Sequence, residues 1–153
     1  MHLVLKSSKA TGRYWMLNHR HAKPINKLIS LKARKFGIEL KEFVNMGNHI
    51  HFQLRAYSRK SFQAFLRAIT NLIARLVTGA KKGNKFGRFW DGLAFSRIVS
   101  TFEEQIRLEG YLVGNKVERR LGYNARQAYL QALNKWIKKL KSEPGAIYSS
   151  KVL

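Results

Sequence analysis

The chain has 153 residues, 45% of them hydrophobic, and sets 30 Lys and Arg against 8 Asp and Glu, a formal charge of +22. That length and apolar content exclude a disordered chain, and the absence of cysteine excludes disulfides and thiolate zinc sites. The basic excess is beyond what solubility needs and carries self-repulsion, so it points to a polyanionic partner, nucleic acid before a membrane surface.

His2 to Lys6 reads as a first strand with Leu3 and Leu5 on one face. Thr11-Gly12 marks a loop, and Pro24 suits the first turn of a helix carrying Ile25, Leu28, Ile29, Leu31 and Phe36 and ending at Gly37. Ile38, Leu40, Glu42 and Val44 alternate with Glu39, Lys41, Phe43 and Asn45, the pattern of a second strand. Gly47-Asn48 is a turn signal, and His49 to about Arg55 is a third strand. Ser58 suits the N-cap of a helix with Phe62, Phe65, Leu66, Ile69, Leu72, Ile73, Leu76 and Val77 at helical spacing and Arg59, Lys60, Arg67 and Arg75 on the other face. A glycine- and lysine-rich loop, Lys81 to Gly87, leads into an extended stretch from Arg88 to Ser100. Thr101 and Glu104 form a capping box for a helix running through Ile106, Leu108, Tyr111 and Leu112 to about Lys116. A last, basic amphipathic helix starts near Asn124, carries Leu130, Leu133, Trp136, Ile137 and Leu140, and ends at Pro144-Gly145. The expected fold is α+β: a ferredoxin-like βαββαβ antiparallel sheet with helices on one face and a C-terminal helical extension. Residues 1–123 are expected to form the catalytic part, and 124–153 a basic helix and tail of the same domain.

The chemistry centres on Gly47-Asn48-His49-Ile50-His51-Phe52. Residues two apart on a strand share a face, so His49 and His51 project two imidazoles from one side, opposite Ile50 and Phe52. Two neutral imidazoles on one face can be adjacent ligands of a divalent metal, whose natural target in so basic a chain is a phosphate. Tyr111 and Asn115 are four apart on the predicted helix and share a face. If that helix lies on the histidine strand, the Asn115 amide oxygen could be the third ligand and Tyr111 could reach a metal-held phosphate. By itself a His-x-His on a strand is more often structural, and a lone helical tyrosine is more often a core or boundary residue, a reading that Tyr57 or Tyr123 could also take. His19 and His21 form a second pair, but in a polar, loop-like stretch that suits solvent or phosphate contacts.

His49-Ile50-His51 resembles the His-hydrophobic-His signature of HUH endonucleases. With Asn48 before it and Tyr111-Leu112-Val113-Gly114-Asn115 after a capped helix, the chain resembles the one-tyrosine transposases of the smallest insertion sequences, and within them the REP-associated tyrosine transposases. Gly87-Arg88-Phe89-Trp90-Asp91-Gly92 is similar to the segment before that family's last strand. The resemblance covers roughly residues 2 to 123, with departures at Gly47 and Lys116, where many members have proline. It implies cleavage and rejoining of single-stranded DNA through a 5′-phosphotyrosine, with Tyr111 as nucleophile and His49, His51 and Asn115 holding a divalent metal, Mg2+ or Mn2+. It implies no nucleotide cofactor.

Phosphate contacts are common on loops and helix ends, which here carry Arg13, Arg20, Lys23, Lys81, Lys82, Lys85, Arg88, Arg119 and Arg120. Tyr14, Trp15, Phe89 and Trp90 stand beside those loops and could stack on unpaired bases. With what the resemblance implies, the expected partner is single-stranded DNA bearing a hairpin, with no membrane contact, in a cytoplasmic monomer or homodimer. Two competing readings stay open: a catalytically idle DNA-binding relative, and a basic RNA-binding module.

Overall fold

A computed structural model describes residues 1–142. Strand β1 spans His2–Lys6, α1 Ala22–Lys35, β2 Ile38–Asn45, β3 His49–Ala56, α2 Arg59–Thr78, β4 Phe95–Arg97, α3 Phe102–Leu121 and α4 Tyr123–Ser142. The strands form one antiparallel sheet in the order β2-β3-β1-β4, the order expected of a βαββαβ chain. The chain divides into two compact units, Met1–Leu108 and a second beginning at Glu109.

In the first unit the sheet separates its two sets of side chains cleanly. Leu3, Leu5, Ile50, Phe52 and Leu54 are buried together with Ile25 and Ile29 of α1 and Phe65, Ile69 and Ile73 of α2. Each such side chain contributes about 1.5–3 kcal/mol by leaving water. Ser58 caps α2 by accepting from the Ser61 amide, and Gly79, in the left-handed region, ends it. Helix α1 begins at Ala22, so Pro24 is its third residue, where a missing N–H leaves no intrahelical bond unmade. Leu31, read as part of the apolar stripe, is exposed.

Strand β2 departs from simple alternation. Its register with β3 shifts between Leu40 and Glu42, so a bulge at Lys41 reverses the facing of the residues beyond it. Ile38 and Leu40 join the core, but past the bulge it is Phe43 that joins it, stacked on Phe52 with ring centroids 6.2 Å apart, and Val44 lies opposite His51.

The expected long extended stretch before α3 is mostly loop, and only Phe95–Arg97 pairs with β1. Residues 89–91 are instead tied to the end of β1. Ser7 Oγ donates to the Phe89 carbonyl (2.6 Å), the Asp91 amide donates to the Lys6 carbonyl (3.0 Å), and Asp91 Oδ1 accepts from the Ser8 amide and hydroxyl.

In the second unit, α3 continues past Lys116 to Leu121, since nothing before Gly122 (φ +90°) breaks it. Gly110 and Gly114 of α3 lie against Leu133 and Leu130 of α4, so the two helices form an antiparallel hairpin with small residues at its seam. Ile137 is buried, whereas Trp136, expected on the same apolar face, is half exposed. The Pro144-Gly145 stop lies outside the described residues.

Candidate metal and nucleic-acid site

The turn before β3 is built to present the histidines. The buried Asn45 side chain donates through Nδ2 to the Met16 carbonyl (2.9 Å) and accepts from the Gly47 amide at Oδ1 (2.8 Å). Gly47 sits at φ +92°, and a Cβ there would collide with the Trp15 indole. Both the positive φ and the close approach require glycine. Proline, with φ fixed near −65°, could not occupy this position in this turn.

His49 and His51 emerge from one face of β3, with ring centroids 4.7 Å apart. Their Nδ1 atoms both meet neighbours: His49 Nδ1 lies 2.6 Å from Asn48 Oδ1, and His51 Nδ1 lies 3.2 Å from His2 Nε2. His2 of β1 stacks on His51 at 5.4 Å between centroids and lies across from Arg97 of β4. Burial, the Arg97 guanidinium and the amino terminus together hold the His2 imidazole below its ordinary pKa, which favours its neutral form. Local sequence leaves the facing of His2 open, and the antiparallel register of β1 and β3 decides it. Among the described residues no set of three His, Asp or Glu side chains is grouped to hold a metal. A cation bound by the two imidazoles therefore needs other oxygen donors, such as a carboxamide or water.

Tyr111 and Asn115 lie one turn apart on α3 in the second unit. The Arg126 guanidinium stands over the Tyr111 ring, 5.2 Å from its centroid, and is itself held by Glu118 Oε2 at 2.8 Å. Asn115 is buried, and its Nδ2 has no hydrogen-bond partner among the described residues. A buried amide N–H without a partner is costly.

The expected DNA contacts are distributed over both units. Arg13, Arg20, Lys23, Lys81, Lys82, Lys85 and Arg88 are on the first, and Arg119 and Arg120 are exposed at the end of α3 in the second. Arg13 stacks over Tyr14, 4.7 Å from the ring centroid. Among the aromatics, Trp15 is 36% exposed, while Trp90 is half-buried with Nε1 donating to the Thr70 carbonyl at 2.9 Å. Phe89 is a correction: it is buried in the core and cannot stack on a base. Trp90 instead borders an open groove of about 550 Å3 with Arg67, Asn71 and Arg88. Arg67, legible in sequence only as part of a solvated helix face, gains its place in that groove from the packing of α2 beside residues 87–92. His21 Nδ1 is engaged by the Trp15 carbonyl at 3.1 Å, which fits a loop role for the second histidine pair.

No helix among the described residues is long and apolar enough to cross a membrane. A search of curated proteins finds no match. Among solved structures the chain is similar to a transposase candidate from Deinococcus radiodurans R1, at 19% identity and a TM-score of 0.50, over 74% of this chain and 88% of that one. That likeness concerns the fold. The family model described as "Transposase IS200 like" matches residues 1–112, a span that contains β1, both histidines of β3 and Tyr111 and stops short of Asn115. The chain thus belongs to the family of IS200-like transposases.

Proposed function

We propose that the chain is a metal-dependent transposase that cleaves and rejoins single-stranded DNA at hairpin-bearing ends. His49, His51 and Asn115 are assigned as ligands of Mg2+ or Mn2+, and Tyr111 as the nucleophile. The observation that carries this reading is the histidine pair: two imidazoles on one sheet face, each with its Nδ1 engaged, inside the segment that matches the transposase family.

The donor set fits a hard divalent cation. Two imidazole nitrogens and a carboxamide oxygen leave room for phosphate oxygens and water. When bound, such a cation polarises the phosphoryl group and eases loss of the tyrosine proton. The residues do the rest. The Tyr111 hydroxyl oxygen attacks phosphorus, the bond from phosphorus to the 3′ oxygen breaks, and that oxygen leaves and takes up a proton. The DNA 5′ end is then joined to Tyr111 through a phosphodiester, which conserves the bond energy. A 3′ hydroxyl of another end attacks that phosphorus and returns Tyr111 to its starting state. Arg126, ion-paired to Glu118, packs its guanidinium over the tyrosine ring and helps hold that ring in place.

Incubation of the protein with end-labelled hairpin oligonucleotides and Mn2+ should yield a covalent adduct, and peptide mapping should find it on Tyr111. An adduct formed equally well by Tyr111→Phe would overturn the assignment. DNA binding with neither cleavage nor adduct would instead identify an idle relative, and tighter binding to RNA hairpins than to DNA would identify an RNA module.

A further inference from the structure

We infer that His2 is a positioning residue that orients His51 toward a metal, as Asn48 orients His49. The inference rests on the metal reading above and concerns a residue to which neither the family match nor the sequence assigns a role.

An imidazole that ligates through Nε2 must carry its proton on Nδ1, and that proton needs an acceptor. At His49 the acceptor is explicit, because Asn48 Oδ1 at 2.6 Å from Nδ1 has only lone pairs to offer. At His51 the atom facing Nδ1 is His2 Nε2 at 3.2 Å. If His51 Nδ1 donates, His2 Nε2 accepts and His2 carries its own proton on Nδ1. The two ligands are then held in the same tautomer by two different neighbours, both presenting Nε2.

The backbone makes this arrangement persistent. His2 pairs across β1 and β3 with Gln53, and Val4 pairs with His51, so His2 and His51 are diagonal neighbours on one sheet face. Their rings stack at 5.4 Å with only 22° between planes. Phe95 closes the far side of His2 edge-on at 6.2 Å. The His2 ring is thus clamped between His51 and Phe95 and has little freedom to turn its Nε2 elsewhere.

The test is Mn2+ binding to the full chain, followed by electron paramagnetic resonance, with metal-free melting curves as the check on folding. Wild type should show a site with two imidazole nitrogens. His49→Ala should lose it. His2→Leu should keep both nitrogens but bind Mn2+ about 10–100-fold more weakly. His2→Gln, which restores an acceptor oxygen, should recover part of that loss. Wild-type affinity in His2→Leu, at an unchanged melting temperature, would overturn the inference and leave the metal reading intact. Loss of the signal as complete as in His49→Ala, again with the fold intact, would make His2 a ligand rather than a positioner. If His2→Leu fails to fold, the nitrogen count and affinity of His2→Gln against His2→Asn decide, and equal affinity in both and wild type counts against the inference. No Mn2+ bound by wild type would sink the metal reading itself.

Discussion

At the scale of single residues, Tyr111 and His49 should fail differently. Tyr111→Phe removes one oxygen and keeps the ring under Arg126, so the fold, DNA binding and Mn2+ binding should survive while cleavage falls to background. His49→Ala should also abolish cleavage, but with Mn2+ binding lost in the same titration. A Tyr111→Phe protein that no longer bound Mn2+ would contradict a purely nucleophilic role. Gly47 provides a test of the scaffold beneath the site. Gly47→Ala forces a side chain to φ +92° and into the Trp15 indole. The cost should be about 1–3 kcal/mol from the backbone strain alone, read as a lower denaturant midpoint. Because the Gly47 amide donates to Asn45 Oδ1 in the turn that leads into β3, Mn2+ affinity should fall with it.

At the scale of elements, the start of α3 depends on a carboxylate. Thr101 Oγ1 accepts from the Glu104 amide, and Glu104 Oε2 accepts from the Ser100 and Thr101 amides. Those two amides, and then Arg97, hold the Glu104 carboxyl below its ordinary value of 4.5. A depressed folded-state pKa means the cap stabilises fully above the ordinary value and fades as pH falls through the lower folded value. Thermal melts of wild type and Glu104→Ala should therefore differ at neutral pH and converge as pH drops below 4.5. A gap that widened toward acid would contradict this account. The Arg97–Glu104 ion pair is exposed and adds little to it. In the same unit β2 shows what pattern-reading misses: strict alternation along Ile38–Asn45 describes a flat strand, whereas the bulge at Lys41 lets Phe43 reach the core.

At the scale of the whole molecule, the charge of +22 and its loop-borne Lys and Arg should make DNA binding chiefly electrostatic. If six or more phosphates are contacted, DNA affinity should fall by about 10³-fold or more between roughly 50 and 200 mM salt, through loss of counterion release. If Trp15 and Trp90 stack on unpaired bases as proposed, hairpins with single-stranded flanks should bind better than plain duplex at one fixed salt concentration. Equal affinity for both, by fluorescence anisotropy, would remove the aromatics from the interface.

Local sequence was enough to place the elements and to set the facing of the central pair. Apolar periodicity and caps located β1, α1, β3, α2 and α3, and strand parity set His49 and His51 against Ile50 and Phe52, because these are local consequences of backbone geometry. The βαββαβ order likewise led to the sheet, since the β2–β3 hairpin and the two helical crossovers back to one sheet leave few other ways to pair four strands. Features beyond that reach were set by contacts distant in the chain. His2 meets His51 only through the β1–β3 register, Phe89 is buried because Ser7 and Asp91 tie its segment to β1, and Arg67 borders a groove because α2 lies beside Trp90. The turn signal at Gly47 was legible, but the packing of Trp15 against it was not, because that contact comes from a distant segment. Local pattern encodes which way a side chain faces, and only tertiary packing decides what it meets there.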